Sequence, residues 1–330
     1  MRLLDLIAQS SSSQSGLPPT WDLPRTWGLP GPHHFAEAVH TCPLRLVLAD
    51  DLVRCTTALG LAEGDRLSGC LDLLRVPSER LWIEWAEGPR QAALREIPGL
   101  NVKPATSARR AGALVQSDAS GRSGTIRTFW STTDDRTFAA AMVADFDLNG
   151  PIRRSQTIEA VFDGESAGVC LPEEPAIDAL LSHIRFRFDP AWAHYYRSAN
   201  LSNHQQSVVL HASLGSMAFD VPMLFALWLL MAATDGVQRT VVNLDRLNRV
   251  RRLAGKSELL EHVEVRTSIQ AQHHGNRSDG DAGTRIGRRL HHVRGHLARR
   301  GYKIFWRSPH LRGNARLGVI RSRTVELTFH

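Results

Sequence analysis

VPMLFALWLLMAA, residues 221–233, is the longest apolar run in the chain, and its reading decides the fold. A bilayer-spanning helix needs about 20 apolar residues. Thirteen in a row describe instead a helix buried on all sides, the central core element against which a sheet packs. The sequence upstream supplies that sheet. ERLWIEWAEG at residues 79–88 alternates, with Leu81, Ile83 and Trp85 on one side and Arg80, Trp82 and Glu84 on the other, which is the period of a strand. AGALVQSD, the turn ASGRSG and TIRTFWST have the pattern of a β-hairpin, and FAAAMVADFDL and QTIEAVFD add strands on either side of the turn at Asn149–Pro151. The expected fold class is α+β, an antiparallel sheet with flanking helices and a basic, β-rich C-terminal module.

The remaining segments fall around this core. Residues 1–34 read as a Pro/Ser-rich N-terminal arm, because five prolines in LPPTWDLPRTWGLPGP block helix and remove amide donors. Residues 35–235 form the body. It begins with three short helices before the first strand, FAEAVH, then LRLVLADDLVRCTTALGLAE with Leu46, Leu48, Leu52, Val53 and Leu59 as an apolar stripe, then RLSGCLDLLRV. From residue 173 to 234 the pattern is again helical, with Asp189 as cap and Pro190 in the first turn of one helix. Residues 236–330 form the basic module, entered through a strand, QRTVVNL, a basic helix, DRLNRVRRLAG, and a strand, HVEVRTSIQ.

Composition is that of a globular chain, with 42% hydrophobic and 22% charged residues, which argues against overall disorder. The net charge of +7 hides a split: residues 236–330 carry 20 Lys or Arg against 7 Asp or Glu, whereas residues 1–235 carry 20 against 26. Ala282–Val325 holds 12 cations and no acid. Phosphate is the natural partner of such a surface, through Coulomb attraction and counterion release, so nucleic acid, DNA or RNA, is the expected partner. Cys42, Cys55, Cys70 and Cys170 are irregularly spaced, with no CxxC pair to suggest zinc or redox chemistry. The short run LLDLIA includes Asp5 and lacks the length of a signal-peptide core, so a reducing cytoplasm and no membrane are expected. No cofactor motif is present: GxGxxG, Walker A, HExxH, a kinase signature and a nucleophile elbow are all missing.

Arg285–Arg312, RIGRRLHHVRGHLARRGYKIFWRSPHLR, concentrates nine Lys or Arg and four His. In the first reading Arg288, Arg289, Arg294, Arg299, Arg300, Lys303, Arg307, His310 and Arg312 contact phosphates, with Trp306, Tyr302 or Phe305 available to stack on bases. Ile304, Trp306 and Tyr302 alternate with Lys303, Phe305 and Arg307, so burial is expected for at least one aromatic. In the second, Arg289 and His296 have the Arg–His spacing of HEPN-type ribonucleases, a metal-independent chemistry that needs both residues on a helix. In the third, His292 and His296 with His291 or His310 bind a metal; nine cations and no nearby carboxylate oppose it, so no metal is assigned. A weaker metal candidate is the set Glu84, Asp145, Asp147 and Asp163, for which a solvated sheet face is the simpler reading.

VNLDRLNRVRRLAGKSELLEHVEV followed by HHVRGHLARRGYKIFWRSPHLRGNARLGVI resembles the C-terminal part of uncharacterised proteins encoded by bacteriophages and prophages of proteobacteria. The matching positions are His292, Val293 to His296, Trp306, Pro309 to His310 and Arg312 to Gly313, with a fainter echo in LDLLRVPSERLWIEW. The resemblance covers about the last 90 residues and carries no assigned activity. It implies a phage or mobile-element setting, where nucleic-acid binding and regulation are common roles; a structural or partner-binding phage protein is the remaining alternative. The oligomeric state and the choice of DNA or RNA stay open.

Overall fold

The computed structural model describes residues 1–10, 31–98, 100, 108–152, 158–162, 165–169, 179–189, 192, 203–268, 289–293, 296–307, 310–312 and 314–320. The chain is α+β, with a large mixed sheet flanked by helices.

The sheet runs in the order β10 (Val237–Val242), β11 (His262–Thr267), β1 (Leu44–Leu48), β2 (Arg80–Ala86), β3 (Ala108–Ser117), β4 (Ser123–Thr132), β6 (Met142–Asp147), β9 (Ile184–Phe188), β7 (Ile158–Phe162) and β8 (Glu165–Val169). The short β5 (Thr137–Ala139) pairs with β4. Most neighbours are antiparallel, but β1 is parallel to both β2 and β11, and β7 to β9. The expected antiparallel sheet is therefore mixed, and it extends past residue 236 because β10 and β11 join it.

Helices cover both faces. On one lie α3 (Asp50–Ala62), α5 (Glu87–Glu96) and the 30-residue α6 (Asn203–Ala232). Leu81, Ile83 and Trp85 meet this side, together with the fully buried Leu224, Phe225 and Trp228 of α6. The run at residues 221–233 is thus the core helix its composition predicts. By length and composition Ser213–Ala232 would reach across a membrane, and 82% of its most apolar window is buried inside the protein. On the other face lie α1 (Leu3–Ala8) and α2 (Ala36–His40), packed through Leu3, Leu4, Ile7 and Val39 on Val47, Trp82, Leu114 and Phe129. Two small helical turns, α4 (Gly64–Ser68) and a 3₁₀ turn at Leu71–Leu73, precede β2.

Two segments read as helix are strands. Residues 44–48 form β1, so the first strand comes before α3 rather than after three helices. A strand buried on both faces shows a continuous apolar run, not alternation, and LRLVL sends Leu46 and Leu48 to one core cluster and Val47 to the other. Ile184–Phe188 likewise forms β9, with Ile184, Phe186 and Phe188 buried in alternation. Asp189 accepts from Arg127 Nε at 3.1 Å; Pro190, its expected helical neighbour, lies outside the described residues.

Candidate nucleic-acid interface

The basic segment is built from strands. β12 (Arg289–Val293) lies between β15 (His310–Arg312) and β16 (Asn314–Ile320), and β13 (His296–Arg300) pairs antiparallel with β14 (Lys303–Arg307). Gly301, at φ +58°, closes the hairpin, in the left-handed region that glycine enters without steric cost.

The β13–β14 hairpin has two unlike faces. Its register places Leu297 opposite Trp306 and Arg299 opposite Ile304, and alternation puts these four on the same side. Leu297, Ile304 and Trp306 are buried in the main core. Thr234, just past α6, donates its N–H to the Ile304 carbonyl at 3.0 Å and accepts from the Trp306 N–H at 3.2 Å. Arg299 reaches sideways to the Asp72 carboxylate and to the Gly69 carbonyl. Hydrogen bonding by Asp72 holds the Arg299 guanidinium above its ordinary pKa.

The other face is turned to solvent. Arg300 sits opposite Lys303 next to the turn, and Arg307 closes the far end opposite His296. Arg300, Lys303 and Arg307 are all exposed, with the half-buried Ala298 and Phe305 between them. Tyr302, at the tip, is 89% exposed. Lys303 and Arg307 stand about 13 Å apart along the strand at ~3.3 Å per residue.

The expected contact residues therefore divide. Arg300, Lys303 and Arg307 share one exposed face. Trp306 is a core residue, only 7% exposed, so it offers no platform for a base, and Arg299 ties the hairpin to the body. Arg289 is in β12, opposite Asn314, while Arg312 and His310 lie in β15 opposite His291 and Val293. Arg288 and Arg294 lie outside the described residues. The ribonuclease spacing loses its basis, because Arg289 and His296 occupy strands of two different sheets rather than one helix. His292 and His296 are separated in the same way.

Among the described residues no group of His, Cys, Asp or Glu is arranged to hold a metal ion. Glu84 is not on a solvated face: fully buried, it accepts the N–H groups of Leu3 and Leu4 at 2.9 Å each and pairs with Arg110. Asp145 pairs with Arg187 and Arg185, and Asp147 accepts from Asn149. Asp163 lies outside the described residues. Cys42 and Cys70 carry thiols pushed up by burial, and burial pushes Cys55 up to about 12, a range in which a thiol is not a nucleophile at neutral pH.

No protein-family model matches the chain, and no curated protein or solved structure matches it either.

Proposed function

We propose that the chain binds nucleic acid through the outward face of the β13–β14 hairpin, in the phage or mobile-element setting that its C-terminal words imply. One observation carries the reading. The hairpin spends its inner face on the protein core and keeps three exposed cations, Arg300, Lys303 and Arg307, beside an exposed aromatic tip, Tyr302. Such a surface suits a flexible single strand: cations follow the backbone while an aromatic ring stacks on a base without selecting its identity. Arg289, His310 and Arg312, on strands of the three-stranded sheet, belong to the same acid-free stretch of sequence.

The test is titration of a labelled single-stranded 20-mer, DNA and RNA in parallel, at several salt concentrations. Affinity falls with salt, and the combined charge reversal Arg300→Glu, Lys303→Glu, Arg307→Glu lowers the magnitude of the log–log slope by about 2, at ~0.7 per phosphate contact on a single strand. Absence of binding at low salt, or binding indifferent to salt, refutes the proposal.

A further inference from the structure

We infer that α7 (Asp245–Leu253) is a docking surface for a protein helix whose apolar stripe is bordered by carboxylates; this stands independently of the hairpin reading. A surface helix ordinarily turns its apolar side to the core and its polar side to water. α7 does much of the reverse. The loop that follows it folds back on it through polar contacts: the Asn248 amide donates to the Leu259 carbonyl at 2.9 Å and accepts the Leu259 N–H at 2.8 Å, and Arg251 Nε donates to the Ser257 carbonyl at 2.7 Å. Leu244, just before the helix, is buried alongside Asn248. Leu247, Val250 and Leu253 point away from this contact and are 47%, 59% and 85% exposed. Spacing of three keeps them on one stripe. Val241, 73% exposed on the edge strand β10, lies four residues before the helix.

Charge selects the occupant. Arg246 and Arg249, both exposed, border the apolar stripe on one side, while Arg252 is already paired with Glu258 at 2.7 Å. A second copy of this chain paired antiparallel fits poorly, because that arrangement sets like flanks of identical helices against each other and opposes arginine to arginine. Nucleic acid would use the arginines but has no use for two leucines and a valine. A partner helix with apolar residues at i, i+3 or i+4 and i+7, bordered by Asp or Glu, satisfies both features at once.

The experiment uses the full chain and a designed helical peptide of ~20 residues with a leucine stripe flanked by glutamate, beside a twin with lysine in place of glutamate. The glutamate peptide binds and its twin binds at least tenfold more weakly. Leu247→Glu with Val250→Glu removes binding. Arg246→Glu with Arg249→Glu reverses the preference toward the lysine twin, and the charge-reversed hairpin variant binds the glutamate peptide as the unaltered chain does. Circular dichroism confirms that the exposed substitutions leave the fold intact. Equal affinity for the two peptides, no binding of either, or α7 variants whose only loss is affinity for anionic phospholipid vesicles or for oligonucleotides would overturn the proposal.

Discussion

Arg299 and Asp72, 227 positions apart, meet through two parallel contacts of 3.0 Å, Nη1 to Oδ1 and Nη2 to Oδ2. The pairing fixes the edge of the β13–β14 hairpin against the turn that precedes β2, and a third bond to the Gly69 carbonyl completes it. Removing Arg299 should loosen the hairpin without removing a phosphate contact. Arg299→Ala is expected to raise amide exchange across residues 296–307 and to leave the salt slope of nucleic-acid binding nearly unchanged, whereas Arg307→Ala does the opposite. Hydrogen exchange and salt titration on the two variants check this directly.

Trp306 and Tyr302 separate packing from stacking within one hairpin. Trp306 fills the core beside Leu297 and Ile304, and Trp306→Ala should cost about 3–5 kcal/mol, the range for deleting a large buried aromatic. Tyr302→Ala should leave the melting curve unchanged and weaken single-strand binding by about 1–3 kcal/mol, the worth of one base stacked on an aromatic ring. Urea denaturation and binding isotherms distinguish the two; a stable Trp306→Ala variant with lost binding would reverse the roles.

What the sequence shows of this fold depends on how far apart the partners lie. The apolar core helix, the hairpin of β3 and β4, and the alternation that buries Ile304 and Trp306 while exposing Lys303 and Arg307 are local patterns, and they are readable. β1 is hidden because a strand buried on both faces loses its period, and its next residues start a helix at once. Glu84 looks like a solvated carboxylate until α1 arrives from 80 residues away to cover it. Arg299 is indistinguishable from Arg300 in a list of cations, yet their positions in the ladder give one a carboxylate and the other water. The polar anchoring of α7 depends on Leu259 and Ser257 folding back over it, which no helical period encodes.

Gly60 packs directly on the backbone of α6. A methyl group placed there would lie 2.5 Å from both the carbonyl carbon and oxygen of Pro222, inside any real contact distance and against main chain that cannot rotate away. Gly60→Ala should therefore destabilise by about 1–3 kcal/mol, the usual cost of overpacking a core, although alanine favours helix by itself. A chemical-denaturation midpoint equal to or above that of the unaltered chain would show that α3 and α6 separate more easily than their packing indicates.

Asp5 and His262 give the N-terminal helix an opposed pH dependence. Burial pushes the Asp5 carboxyl up to about 6, with Glu84 acting in the same direction and the Leu260 N–H, Arg2 and Arg251 against it. The native state holds that proton more tightly than the unfolded chain, so the Asp5 contribution to stability is complete below its ordinary value of 3.8 and is lost as pH rises through 6. His262 runs the other way: burial lowers its pKa, and its Nδ1 lies 3.0 Å from the Leu260 carbonyl while Nε2 meets the Arg2 guanidinium. Its contribution is present above the ordinary 6.5 and is lost as pH falls. Comparing urea unfolding of Asp5→Asn with the unaltered chain isolates the first effect. Between pH 7 and pH 4 the unaltered chain should gain up to about 3 kcal/mol relative to the variant, at 1.36 kcal/mol per pKa unit, while His262→Gln should become relatively more stable over the same interval. A constant difference for Asp5→Asn across that range would mean that the carboxylate is not held in the buried contact with Leu260 that anchors α1 to the sheet.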